Sequence, residues 1–393
     1  MDHNGYALHP HRYECVLAAG AACVFSYNHP SEPSFLKDVS QKDTWSFGHI
    51  AYEGGYRYFD LPVTKGNPIG FPYAFFFQPQ YLLYIRNDQL HIEAPEADAL
   101  YEQIVLEPDV EEAISSPITI NQRLSREEYI EKVKTLQQHI LRGDCYEVNF
   151  CQEFFAEAVD INPIGVYNRL NALSPNPFSV LYKLEDKYLI CASPERFLYK
   201  EGERIVSQPI KGTARRALDN KELDDKLKDS LLRSAKEQSE NVMIVDLVRN
   251  DLSRICQEGS VKVDELMGIY SYPQVHQMIS TISGKLDGER SLAEIIEATF
   301  PMGSMTGAPK KRVMELINQY EPVSRGIFSG SVGYINPEGD FDFNVVIRSI
   351  MYNSSSRYLS YQVGSGITFY CNAEQEWEEC LLKGEAIKKV LTG

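Results

Sequence analysis

A chain of 393 residues with 43% apolar content can build one large core or two intimate domains. Its net charge of −16, with no basic stripe, argues against a nucleic-acid partner, and no apolar run is long enough to span a bilayer. Its eight cysteines form no CxxC pair and no regular framework, so they are expected to be reduced thiols in a cytoplasmic protein.

The first part, to about Pro117, is rich in aromatics at 71–77 and 81–84 and reads as short strands between Pro and Gly turns. Residues 16–25 faintly resemble the apolar region of a signal peptide, but Met1, Asp2 and His3 supply no basic start. Residues 93–116 are acidic and read as a loop or a short helix. Ser125 then opens an amphipathic helix as N-cap, with Glu128 completing a capping box. Tyr129, Val133, Leu136, Ile140 and Leu141 form its buried face, and Gly143 ends it. Residues 178–184 and 188–192 read as a hairpin around Glu185 and Asp186. One long polar helix is expected over 219–240, and the apolar run 242–247 fits either strand or buried helix. Pro309 marks a helix start, and 327–335, 341–351 and 358–363 read as successive antiparallel strands. A last helix is expected over 373–391. Hairpins mixed with helices imply α+β architecture, not alternating βαβ units.

Lys211 sits between Pro209 and Gly212, after a strand-like run. Two acidic pairs, Glu237/Glu240 and Glu376/Glu379, are each spaced i, i+3, so on a helix their carboxylates share a face. A lysine with two such pairs suggests covalent or acid–base chemistry beside a hard cation. Glu240 and Glu379 are candidate Mg²⁺ ligands, with Glu237 and Glu376 holding outer waters; solvated helix faces are the alternative. Gly364, Ser365 and Gly366 form either an amide cradle for a carboxylate or a plain turn. Arg348, within the apolar run 345–350, needs a carboxylate from a substrate or from within the protein. Glu195 is a general acid if burial raises its pKa, or an ion-pair partner of Arg196. His276 is a candidate at the site, although a lone histidine is more often a hydrogen-bonded core residue. Residues 303–307 lack P-loop spacing, there is no G-x-S-x-G elbow, and no His pair has zinc spacing.

From about Leu124 onward the chain resembles the chorismate-utilising enzymes, which include anthranilate synthase component I, isochorismate synthase and aminodeoxychorismate synthase component I. The resemblance rests on Ser193-Pro194-Glu195-Arg196-Phe197, Pro209-Ile210-Lys211-Gly212-Thr213 and the run from Glu240 to Leu252. It extends to Gly307-Ala308-Pro309-Lys310, Ser329-Gly330-Ser331-Val332-Gly333-Tyr334 and Gly364-Ser365-Gly366-Ile367. It implies two packed antiparallel β-sheets flanked by helices, with the site in a cleft between them. It also implies a shortened N-terminal β-rich segment at 1–117 and a chorismate-binding catalytic domain at 118–393.

Within the family, Lys211 and the loop carrying Ser304 and Thr306 are similar to the aminodeoxychorismate synthases, where anthranilate synthases typically carry Ala, Thr and Ser. Glu147 stands where isochorismate synthases carry a water-activating lysine. The implied reaction is amination of chorismate to 4-amino-4-deoxychorismate, toward 4-aminobenzoate and folate. In it Mg²⁺ on Glu240 and Glu379 takes the ring carboxylate. Arg348 and the amides of Gly364, Ser365 and Gly366 hold the enolpyruvyl carboxylate. Lys383 adds positive charge, and Ser304, Thr306 and His276 contact substrate. Lys211 attacks C2 as a neutral amine, which calls for a lowered pKa, while Glu195 protonates the departing C4 hydroxyl. No glutaminase nucleophile motif is present, so ammonia is expected from a separate glutamine amidotransferase subunit. Two positions depart from the pattern: Glu147 replaces the usual Gln, and Phe328 the usual Tyr. Anthranilate synthase component I, a non-catalytic docking subunit and a Schiff-base lyase are the rival readings.

Overall fold

The aromatic run of the first part forms one long strand rather than several short ones. In the computed structural model, which describes residues 1–6, 10–32, 34–39, 43–108 and 117–392, Ala74–Arg86 pairs with Cys15–Tyr27 on one side and Ser46–Ile50 on the other. Residues 16–25 are therefore strand, and the acidic stretch after residue 93 contains the helix Ala97–Leu106, while 109–116 lie outside the described residues. Ser46–Ile50 pairs in turn with Ser331–Ile335, so strands from both sides of Pro117 share one sheet. That sheet continues through Phe341–Asn344, Arg196–Glu201, Arg204–Gln208, Val275–Lys285 and Ile210–Arg215, and has 11 strands among the described residues.

A second sheet, of seven strands, runs Gly307–Ala308, Glu147–Ala156, Tyr358–Ile367, Ser349–Asn353, Lys187–Ser193, Phe178–Leu184, with Asn121–Gln122 beside Glu147–Ala156. Among the described residues every strand pairing in both sheets is antiparallel. One apolar core joins the two sheets, bringing Leu189, Cys191 and Met351 of the smaller against Phe197, Ile205 and Phe343 of the larger. A second core fills the space between the smaller sheet and the helices that carry Tyr129, Val166, Val313 and Trp377. Among the described residues no helix is long and apolar enough to cross a membrane, and the eight cysteines are unbridged.

Local signals came out where they were self-contained. Ser125 caps Arg126–Leu141 in a full capping box with Glu128, and Phe178–Leu184 pairs with Lys187–Ser193 about Glu185. Three expected elements are instead broken. The polar helix divides at Ser234 into Lys221–Arg233 and Ala235–Ser253; Ser234 is extended, and its Oγ caps the second helix by accepting from the Glu237 N–H. The run 242–247 lies inside that second helix, with Ile244, Val245 and Val248 buried. The last helix divides at Gly384 into Ala373–Lys383 and Glu385–Thr392. The expected strand 341–351 begins in the larger sheet as Phe341–Asn344 and resumes in the smaller as Ser349–Asn353.

Arg196 does not pair with Glu195. It makes a two-pronged bond to Asp342 on the neighbouring strand, 2.9 Å at each prong, and a third bond to Gln208. Both members of the pair are fully buried, so Asp342→Ala strands an unpaired guanidinium in the core. Urea unfolding of that variant is expected to show a loss of about 3–5 kcal/mol.

Candidate active site

Lys211 projects from a distorted strand. Ile210–Arg215 slips register against Val275–Lys285 between Ile210 and Thr213, and Gly212 adopts φ +92°. A Cβ at 212 would stand 3.0 Å from Glu237 Oε2, so only glycine lets this bulge lie against the Glu237 helix. The bulge places Lys211 on a cavity of about 720 Å³ that is also lined by Glu195, Glu237, Glu240, Arg348 and Glu379. Lys211 Nζ donates to Glu147 Oε1 at 2.5 Å, which ties the larger sheet to the smaller across the cleft. Glu147 Oε2 is buried without a hydrogen-bond partner. Gly366 makes room for this arrangement, because a Cβ there would lie 2.7 Å from Glu147 Oε1 and 3.3 Å from Glu240 Oε2.

The expected lowering of the Lys211 pKa is not found. Burial works in that direction, but the carboxylates of Glu147, Glu240 and Glu195 outweigh it and raise the pKa, so the resting group is an ammonium. Glu195 behaves as expected of an acid. It follows Pro194 at the end of a buried strand, 4% exposed, and burial pushes its carboxyl up to about 7 against the pull of Ser304 and Lys211. Ser304 lines the same cavity.

Glu237 and Glu240 occupy the first turns of Ala235–Ser253, and Glu376 and Glu379 those of Ala373–Lys383. Glu237, Glu240 and Glu379 reach the cavity, whereas Glu376 is buried behind it. Burial raises Glu237, and it raises Glu240 to about 7 despite Lys211. For Glu379 burial is overcome by Lys383, 2.7 Å away, and by Lys236, which bring it down to about 2. Lys236 was not singled out from the sequence, yet its ammonium stands among three of these carboxylates. The spacing of Lys236 to Glu240, i, i+4 on one helix, was the signal available.

Among the described residues no three carboxylate, histidine or cysteine groups already stand as a ligand set, and the Lys236 ammonium stands among the carboxylates. The donor set nonetheless fits a hard cation. Glu240 Oε1 and Glu376 Oε2 are buried without hydrogen-bond partners, and all donors are carboxylate oxygens.

Arg348 lies not inside a strand but at the crossing between sheets, in the left-handed region at φ +53°. Its guanidinium donates to the Lys383 carbonyl at 3.2 Å and makes no ion pair with a carboxylate among the described residues. Burial lowers its pKa, opposed by Glu379. Lys383 Nζ bonds both Glu379 and the Gly364 carbonyl, and Gly364 and Gly366 line the cavity. Ser365, between them on a strand, points its Oγ the other way, to Tyr129 at 3.1 Å.

Four of the candidates do not reach the cavity lining. Thr306 Oγ1 is spent on the Met302 carbonyl, closing its own turn. His276 is buried between Asp224 and Ser271, at 3.1 and 2.8 Å, and holds Asp224 in place beneath Arg216. The Ser365 Oγ is turned away as described, and Glu376 is linked to the site by its bond from Lys236. Phe328 does line the cavity.

The family model for chorismate binding enzymes matches residues 12–389, a span that includes every residue named above at the cavity. The anthranilate synthase component I-like protein of Synechocystis sp. is 31% identical over 353 residues, 88% of this chain and 72% of that one. Aminodeoxychorismate synthase component 1 of Escherichia coli K12 is 38% identical over 268 residues, 68% of this chain and 58% of that one. The crystal structure of anthranilate synthase component I from Streptococcus pneumoniae TIGR4 superposes with a TM-score of 0.84 over 96% of this chain and 92% of that one, at 24% identity, a likeness of fold.

Proposed function

This chain belongs to the chorismate binding enzymes, and from that premise we propose that it aminates chorismate to 4-amino-4-deoxychorismate. The observation that carries the reading is Lys211, an amine held in the cavity beside Glu195 and against Glu147. Relatives of similar identity carry the names of both aminodeoxychorismate and anthranilate synthases, so the chemistry of this cavity is what separates them.

Arg348 and Lys383 supply positive charge for the substrate's carboxylates, and among the described residues Arg348 has no carboxylate ion pair to give up. Glu240 and Glu379, with Glu237 and Glu376 around them, would hold Mg²⁺, which when bound supplies charge neutralisation for a substrate carboxylate. Lys211 must lose a proton before it can attack, and Glu147, 2.5 Å away, is the acceptor in reach. Nζ then bonds to C2, the two ring double bonds each move one position, and the C4–O bond breaks. Glu195 gives its proton to the departing hydroxyl, which leaves as water. Ammonia adds at C4, the double bonds move back, and the C2–N bond to Lys211 breaks. Ammonia is supplied by a glutamine amidotransferase subunit, so glutamine supports turnover only when that subunit is added.

Incubation with chorismate, Mg²⁺ and ammonium, followed by mass-resolved chromatography, tests the reading. A product that retains the enolpyruvyl group is expected. Fluorescent anthranilate, formed with loss of pyruvate, would assign the chain to the sister activity, and no turnover with an added amidotransferase would leave a docking role. Arg348→Ala is expected to raise KM for chorismate about 10- to 100-fold, since a hydrogen bond to a charged group contributes about 1.5–3 kcal/mol. A titration of initial rate against chorismate reads this, and kcat should move much less.

A further inference from the structure

Lys236 is a charged group beside this site to which the reaction above gives no task. Its ammonium stands 3.0 Å from Glu376, 3.7 Å from Glu379 and 3.8 Å from Glu240, three of the four carboxylates assigned to a divalent cation. These are not ordinary surface pairs, because the side chains of Glu376 and Glu240 are only 2% and 9% exposed. Two carboxylates this buried, with Glu379 beside them, are stabilised by a cation among them. The lysine side chain itself is 42% exposed, so its four-carbon stem has a free path outward.

The geometry points to Lys236 as a built-in occupant of the cation position: its ammonium neutralises the carboxylates when no metal is bound and must swing out for a divalent cation to enter. This inference rests on the metal reading of the four glutamates. An ammonium at these distances from three ligands fills the space a hydrated Mg²⁺ needs, so the two cations compete rather than coexist. Metal loading then has a threshold set by the protein's own side chain. Glu240 Oε1 and Glu376 Oε2, left without hydrogen bonds in the lysine-occupied state, are the oxygens that gain a partner when the metal replaces it.

Calorimetric titration of MgCl₂ into the substrate-free protein tests this, with wild type, Lys236→Met and Lys236→Arg compared. Lys236→Met is expected to bind about tenfold more tightly than wild type, because a competing charged contact is gone. Lys236→Arg, which keeps the charge, should stay near the wild-type affinity. Without metal, Lys236→Met should melt below wild type, and saturating Mg²⁺ should raise its Tm by more. Wild-type binding with equal or weaker binding by Lys236→Met overturns the inference alone, as does Lys236→Arg binding as tightly as Lys236→Met. Failure of both wild type and Lys236→Met to bind Mg²⁺ overturns the metal reading and this inference with it.

Discussion

Lys211→Ala is expected to lower ammonium-dependent turnover of chorismate by about 10³-fold or more, as removal of a covalent nucleophile does. The cavity that receives the substrate is built by the cleft walls and survives the change, so chorismate should still bind. One side effect must be separated from chemistry. Without the ammonium, Glu147, 1% exposed, is left as an unpaired buried carboxylate. The double variant Lys211→Ala with Glu147→Gln removes that charge and should recover thermal stability without recovering turnover. Mass spectrometry of wild type held with chorismate but no ammonia should show an adduct on the peptide containing Lys211. A Lys211→Ala enzyme that turns over near the wild-type rate would remove the covalent route.

Glu195→Gln is expected to cost about 10²- to 10⁴-fold in kcat, the range for loss of a positioned proton donor. The pH dependence carries its sign. A donor with a carboxyl raised to about 7 is protonated below that value and spent above it, so wild-type activity should fall as pH climbs through about 7. Glu240 is also raised to about 7, so the limb alone does not identify the residue. In Glu195→Gln the residual rate should lose this limb; if the limb persists unchanged, Glu195 is not the proton donor. A full pH–rate profile of both enzymes makes the distinction.

The parts of this molecule that could be read from the chain are those whose cause is local. Ser125 and Glu128 specify their cap within four residues, and Glu185 and Asp186 sit between two strand-like runs that pair directly with each other. The breaks were invisible for the opposite reason. Ser234 and Gly384 interrupt helices whose polar pattern continues on either side, and the pivot is fixed by what each half packs against. The crossing at residues 345–348 reads as uninterrupted apolar strand because both of its destinations are buried. At the site, the acidic pairs and Lys211 announced themselves by spacing and neighbours. The Gly364-Ser365-Gly366 run reads as an amide cradle or a plain turn, whereas it continues the strand Tyr358–Ile367, and the alternation of that strand turns the Ser365 Oγ toward Tyr129. The direction of the Lys211 shift was missed because Glu147 comes from the other sheet, 64 residues away in the chain. Lys236 was missed because its two acidic partners on the last long helix, Glu376 and Glu379, come together with it only in three dimensions.

The pairing of Ser46–Ile50 with Ser331–Ile335 governs what happens if the molecule is cut. Removing the first 117 residues would bare one side of Ser331–Ile335, five residues that are all buried in the intact chain. A short, uncharged strand with open N–H and C=O groups is a template for pairing with further copies. A fragment that keeps every residue of the reaction would thus be prone to self-assembly into insoluble material, and its silence in an assay would say nothing about the chemistry of the cleft.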